Sequence, residues 1–165
     1  MSATNTNPLV ALRQDHVVVL EHLDRMEKAC RQLARGGGSH FEEAIVSLKG
    51  TAAFFVNELE AHLRKEEDVL FPSLEAVIGA EGGPTAVMRQ EHQDLRNKNW
   101  EFQIWVADLD DGTNESVNQV QKLSTYMTGL LREHIHKEDY ILFSIAEEAL
   151  DASVLARMGQ QMQAL

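Results

Sequence analysis

The sequence predicts an all-α protein, an up-down-up-down four-helix bundle with a short fifth helix at its C-terminal end. Apolar residues recur at three- and four-residue spacing almost throughout, with no alternating β segment. Glycine and proline clusters cut this pattern into four long pieces. The pieces are also related in pairs. His62-Leu-Arg-Lys-Glu66-Glu-Asp-Val-Leu-Phe71 returns as His134-Ile-His-Lys-Glu138-Asp-Tyr-Ile-Leu-Phe143, and Arg13-Gln-Asp-His16 returns as Arg89-Gln-Glu-His92.

Each helix has its own start and stop signals. Asn7 caps and Pro8 fits the first helical position, and Gly36-Gly37-Gly38 ends a first helix of about residues 8–35. Ser39, with Glu42 three residues on, reads as a capping box for a second helix of about 40–78, and Pro72 is expected to kink its last turns. Gly82-Gly83-Pro84 opens a third helix of about 84–109, which Asp110-Asp111-Gly112 closes. Asn114 and Glu115 restart a run of about 115–149, and Asp151-Ala-Ser153 is suited to cap the fifth helix, over the bundle end. At 165 residues the chain is expected to form one domain, with its core at about 8–150.

Composition removes several function classes. The single cysteine, Cys30, excludes an intrachain disulfide and a multi-thiolate metal site, so any metal must use nitrogen and oxygen ligands. A net charge of −11 argues against nucleic acid or an anionic membrane as partner. Residues 1–7 carry neither a basic stretch nor an apolar one, and no apolar run has transmembrane length. A cytoplasmic location is expected.

The repeat supplies the candidate site. Residues four apart on a helix are rotated by only about 40° and rise about 6 Å, so His62 and Glu66, and likewise His134 and Glu138, point the same way. His16 and His92 lie early in the first and third helices, whereas His62 and His134 lie late in the second and fourth. In an antiparallel bundle all four histidines reach one level. Buried carboxylates without partners cost several kcal/mol each, on the order of the relaxed ion-burial penalty, so Glu66 and Glu138 need cations there. Two divalent ions held by four imidazoles and bridged by two carboxylates satisfy every group, and the donor set suits iron, manganese or zinc.

This arrangement resembles the hemerythrin-like, or HHE cation-binding, family over roughly residues 10–147, including Leu70-Phe71-Pro72 after the first motif. The resemblance implies a four-helix bundle with a non-haem di-iron centre of two Fe ions, oxo- or hydroxo-bridged when oxidised. Glu66 and Glu138 would bridge, His16 and His62 would serve one iron, and His92 and His134 the other. Oxygen carriers of the family usually add a fifth histidine four residues from the third-helix ligand, and bridge with an aspartate on the fourth helix. Here the positions four from His92 are Met88 and Arg96, and Asp139 stands five after His134. The repeat register favours Glu138 over Asp139 as the bridge.

Other residues have less specific readings. Glu58 shares a spacing-four stripe with His62 and Glu66 and is the candidate for an additional ligand, weighed against a wet seam or a lysine pair. Tyr126 either faces the pocket or packs in the core. Glu67 and Asp139 read as solvated groups or acceptors for the histidine N–H. His22, His40 and His136 read as surface or packing residues, and Met88, Phe102 and Met127 as core. Trp100 and Trp105 read as packing residues or a small patch for another subunit.

Three functions fit such a centre. The first is binding of a diatomic gas, dioxygen or nitric oxide, for carriage, storage or sensing, in a dry pocket that protects the adduct. The second is an oxidoreductase acting on peroxide, oxygen or nitric oxide, supplied by an unknown electron donor. The third is iron handling or stress repair. A sensor implies an output domain and a repair protein of the related di-iron class implies a cysteine-containing N-terminal domain, and neither is expected here. Gas binding is therefore preferred, in a monomer or homodimer.

Overall fold

The computed structural model describes residues 7–165, all of whose regular elements are helical. The reading of residues 1–7 as lacking a leader falls almost wholly outside them. Helix α1 is Pro8–Arg35, with the Asn7 side chain accepting from the Leu9 amide at 3.0 Å. Helix α2 spans residues 39–78, α3 is Pro84–Ala107, α4 spans 114–149 and α5 is Ala152–Gln163. A short 3₁₀ turn, Asp108–Asp111, tightens the end of α3 before Gly112 enters the left-handed region at φ 60°. Asp151 caps α5 as expected, accepting from the Ser153 and Val154 amides.

One local expectation is corrected. Ser39 is already the first helical residue of α2, with Gly38 preceding it at φ 76°, so the capping box does not form. At Pro72 the helix passes through a π turn, Glu66–Leu70, in which the Phe71 amide bonds the Glu66 carbonyl, and it continues to Ile78. Helix α4 makes the same turn at Glu138–Leu142, although Ser144 stands where α2 has Pro72. Proline is therefore not the cause. A third π turn, Phe55–Leu59, lies nearer the middle of α2.

Helices α1 and α2 pack as one antiparallel hairpin and α3 and α4 as another, with α1 also against α4 and α2 against α3. Two apolar clusters fill the interior. The larger runs from Val19 to Ile135 in sequence and includes Phe55 and Phe102, whose rings are 6.0 Å apart. The smaller gathers Leu9, Leu12, Leu70, Phe71, Met88 and Phe143 at the other end, with Met158 and Met162 of α5 closing it. Between them lies a layer of buried polar residues. Met88, Phe102 and Met127 are core, as expected, and Trp105 packs against the larger cluster. Trp100 is exposed, in keeping with the patch reading rather than packing, and Tyr126 is exposed rather than in the pocket or the core, lying under the Lys98 ammonium. No helix of the described residues is long and apolar enough to cross a membrane.

Phe102 is fully buried, so Phe102→Ala should lower the unfolding free energy by about 3–5 kcal/mol. Trp100→Ala, at an exposed site, should shift it by less than about 0.5 kcal/mol, both read by urea denaturation.

Candidate metal centre

The buried polar layer brings together all six residues singled out by the repeat. His16 and His62 meet with their Nε2 atoms 3.1 Å apart, and His92 and His134 with theirs 3.0 Å apart. Glu66 and Glu138, both fully buried, lie between the two pairs. Each carboxylate is two-faced. Glu66 directs Oε1 at His62, 3.3 Å away, and Oε2 at His92, 3.4 Å away. Glu138 directs Oε2 at His16 and Oε1 at His134, each at 3.2 Å. The result is two adjoining clusters that share both glutamates, each able to hold a cation: His16, His62, Glu66 and Glu138, and Glu66, His92, His134 and Glu138.

The outward nitrogens are held just as regularly. His16 Nδ1 donates to Asp139 at 2.8 Å and His92 Nδ1 to Glu67 at 2.8 Å. His62 Nδ1 donates to Asp15 at 3.2 Å and His134 Nδ1 to Glu91 at 2.8 Å. Asp139 and Glu67 follow the two central glutamates, whereas Asp15 and Glu91 precede the lone histidines. Carboxylates behind each ring fix its orientation and raise its basicity toward a metal. Lys65 in turn pairs with Asp15, and Lys137 with Glu91. Arg13 and Arg89 lie over the Phe143 and Phe71 rings and donate to the Asp139 and Glu67 carbonyls. Those two phenylalanines stack on His16 and His92.

The interior of the site has the polarity of a cation receptor. With every Nδ1 proton committed to a carboxylate, two Nε2 lone pairs face each other in each pair. All four carboxylate oxygens of Glu66 and Glu138 are buried without a hydrogen-bond donor of their own. Protons can only partly relieve this. Burial alone would depress the His62 imidazolium, yet the Glu66 charge and the Asp15 hydrogen bond push it up to about 10. Glu138 in the same way overrides burial at His134, which rises to about 9. His16 is also raised, against its burial, by hydrogen bonds to Asp139 and Glu138. Burial of Glu66 opposes its charge, but the His62 imidazolium holds its carboxyl well below the usual range. The residues present therefore fit a bound cation.

Glu58 is not brought to the site. It lies in the π turn Phe55–Leu59 with its side chain exposed, and edges a pocket that His62 also lines. Asp139 backs His16 and is not in either cluster. His22 stacks on Phe54, His40 pairs with Glu43 at an exposed site, and the His136 ring lies tilted against Tyr140. Sequence reasoning missed Asp15 and Glu91 as histidine partners. The signal was available, since both sit inside the repeated Arg-Gln-Asp-His and Arg-Gln-Glu-His segments.

Four helices, two shared carboxylates and four carboxylate-backed imidazoles define a metal-binding helical bundle. The model of the hemerythrin HHE cation binding domain matches residues 7–146, and the chain belongs to that family. Iron-sulfur cluster repair protein YtfE of Enterobacter sp. (strain 638) is 31% identical over 142 residues, 78% of this chain and 62% of its own length. The protein of that name from Musicola paradisiaca is 30% identical over 100 residues, 58% of this chain and 45% of its own. The chain thus spans less than two thirds of the length of these curated relatives.

Two outcomes follow from the electrostatics. His62 and His134 are held above their ordinary 6.5, so their contribution to the metal-free fold is complete below that pH and is lost as pH rises through about 9 to 10. Metal-free protein should therefore lose urea resistance between pH 7 and 10, and metal uptake near pH 7.5 should release protons into a weakly buffered indicator solution. Removing one backing carboxylate, as in Asp139→Asn, should weaken metal binding by about 10–100-fold in a chelator competition.

Proposed function

We propose that the centre holds two iron ions, one at His16 and His62 and one at His92 and His134, bridged by Glu66 and Glu138, and binds a diatomic gas there. The observation that carries this reading is the two-faced placement of both glutamates, each with one oxygen toward either histidine pair. Each cluster offers two imidazoles and two shared carboxylates, a donor set that suits non-haem iron and leaves coordination positions free. Iron bound in such a site supplies electrons and those free positions to a small ligand.

The chain's own residues govern what arrives. A pocket of about 320 Å³ opens beside His62, with Val18, Val19, Phe54 and Ala61 as apolar walls and Asp15, Glu58 and Lys65 among its polar lining. Such walls suit a small uncharged molecule, dioxygen or nitric oxide. The stacked Phe71 and Phe143 rings keep water from the other side of the layer. Four backing carboxylates favour iron that stays, as a resident cofactor does.

A second reading, iron handling in stress repair, is favoured by the similarity to iron-sulfur cluster repair proteins. The two readings differ in whether the iron leaves. Anaerobic ferrous loading with metal counted per chain, then an optical spectrum before and after gas is admitted and withdrawn, tests the first. Two irons per chain and a visible band that appears and reverses are expected. Loss of iron to an added apo-ferredoxin would instead support repair, and irreversible oxidation with turnover on peroxide and a reductant would support an oxidoreductase. Fewer than about one metal per chain would sink the dinuclear reading. Glu66→Ala should reduce metal content to one ion or none, and an unchanged count and spectrum would overturn its bridging role.

A further inference from the structure

The repeat pairs Leu12 with Met88, Lys65 with Lys137, Val69 with Ile141 and Leu70 with Leu142. In the first half these positions form the seat of α5, where Met158 and Met162 pack with Leu9, Leu12, Val69 and Leu70. In the second half the same positions form a groove of about 190 Å³ lined by Pro84, Val87, Met88, Lys137, Ile141 and Leu142, all from α3 and α4. No described helix lies over it. Val69 under α5 is 5% exposed, whereas its counterpart Ile141 is 53% exposed, beside Val87 at 51%.

We infer that the Val87–Ile141 groove is a docking site for an amphipathic helix of a partner protein, seated there as α5 is seated on the first half. The chemistry of the occupant follows from the helix that fills the equivalent seat. Helix α5 presents Val154, Met158 and Met162 at four-residue spacing, and Arg157 is its one charged residue. Unbranched, polarizable methionine adapts to a shallow apolar groove of this kind. The partner helix carries apolar side chains four residues apart and is neutral or basic elsewhere, because a chain of net charge −11 repels an acidic one. The same charge opposes a second copy of this chain as the occupant. Burying Ile141 and Val87 removes from water an apolar strip that the fold otherwise leaves exposed beside the smaller apolar cluster. This inference does not depend on which ligand the metal centre takes.

A peptide with the sequence of residues 151–165 serves as probe, titrated into the full isotope-labelled chain and followed by NMR. Saturable shifts at Val87, Tyr140 and Ile141 are expected. Affinity should fall at least tenfold in Ile141→Glu, whose far-ultraviolet circular dichroism should match the parent, and should be unchanged in Val46→Glu, an exposed site on α2 away from the groove. Absence of saturable binding would overturn the inference. So would shifts confined to Leu12 and Val69, which would mean displacement of α5, binding that survives Ile141→Glu, or self-association that buries the strip against a second copy.

Discussion

The interior of this bundle is organised around negative charge that cannot reach water. Glu66 and Glu138 place four carboxylate oxygens in a layer sealed by apolar clusters above and below. An isolated pair of that kind would be untenable, since burying each ion costs several kcal/mol, roughly, even after relaxation. Every neighbouring feature answers it: four imidazoles turned inward, carboxylates behind them to orient the rings, and Lys65 and Lys137 to neutralise two of those carboxylates in turn. Charge alternates in shells from the centre outward, and each shell fixes the geometry of the one inside. The π turns belong to the same pattern. Two of the three begin at the central glutamates, where a locally widened helix is a common accompaniment of function.

Much of this was legible because the signals were periodic or paired. Apolar spacing and Gly/Pro punctuation locate the four long helices to within a residue or two of Pro8–Arg35 and Pro84–Ala107, and Asp151 announces α5. The repeat identifies the six residues that meet in the layer. What escaped was set by geometry that spacing does not encode. A π turn has no composition signal of its own, so neither the widened turn before Pro72 nor the exposure of Glu58 could be read. The capping box failed because the helix began one residue early, leaving Ser39 inside it. The repeat marks Asp15 and Glu91, but each serves a histidine on the neighbouring helix, and that pairing is supplied by the fold.

The two halves match at the centre and diverge around it. Arg96 clamps Glu60 and Glu67 behind His92, whereas the position equivalent to Arg96 in α1 is Leu20. Glu58 edges a pocket beside His62, where the second half has Leu130. Helix α5 covers one half only. The chemistry-bearing residues are thus constrained by symmetry, while access to them and the surfaces beside them are free to differ.

Each histidine pair comes from a single helical hairpin, but the carboxylates are contributed by both. Neither hairpin alone encloses a complete cluster. A chain half as long, folding into one hairpin and associating with a copy of itself, would generate the same six-residue enclosure. Seen this way, the stretch between α2 and α3 is a tether: it makes the meeting of two halves intramolecular, replacing dependence on protein concentration with a fixed effective one. It also gives each half its own gene segment to vary, and a covalently joined pair can acquire differences that two identical copies never could.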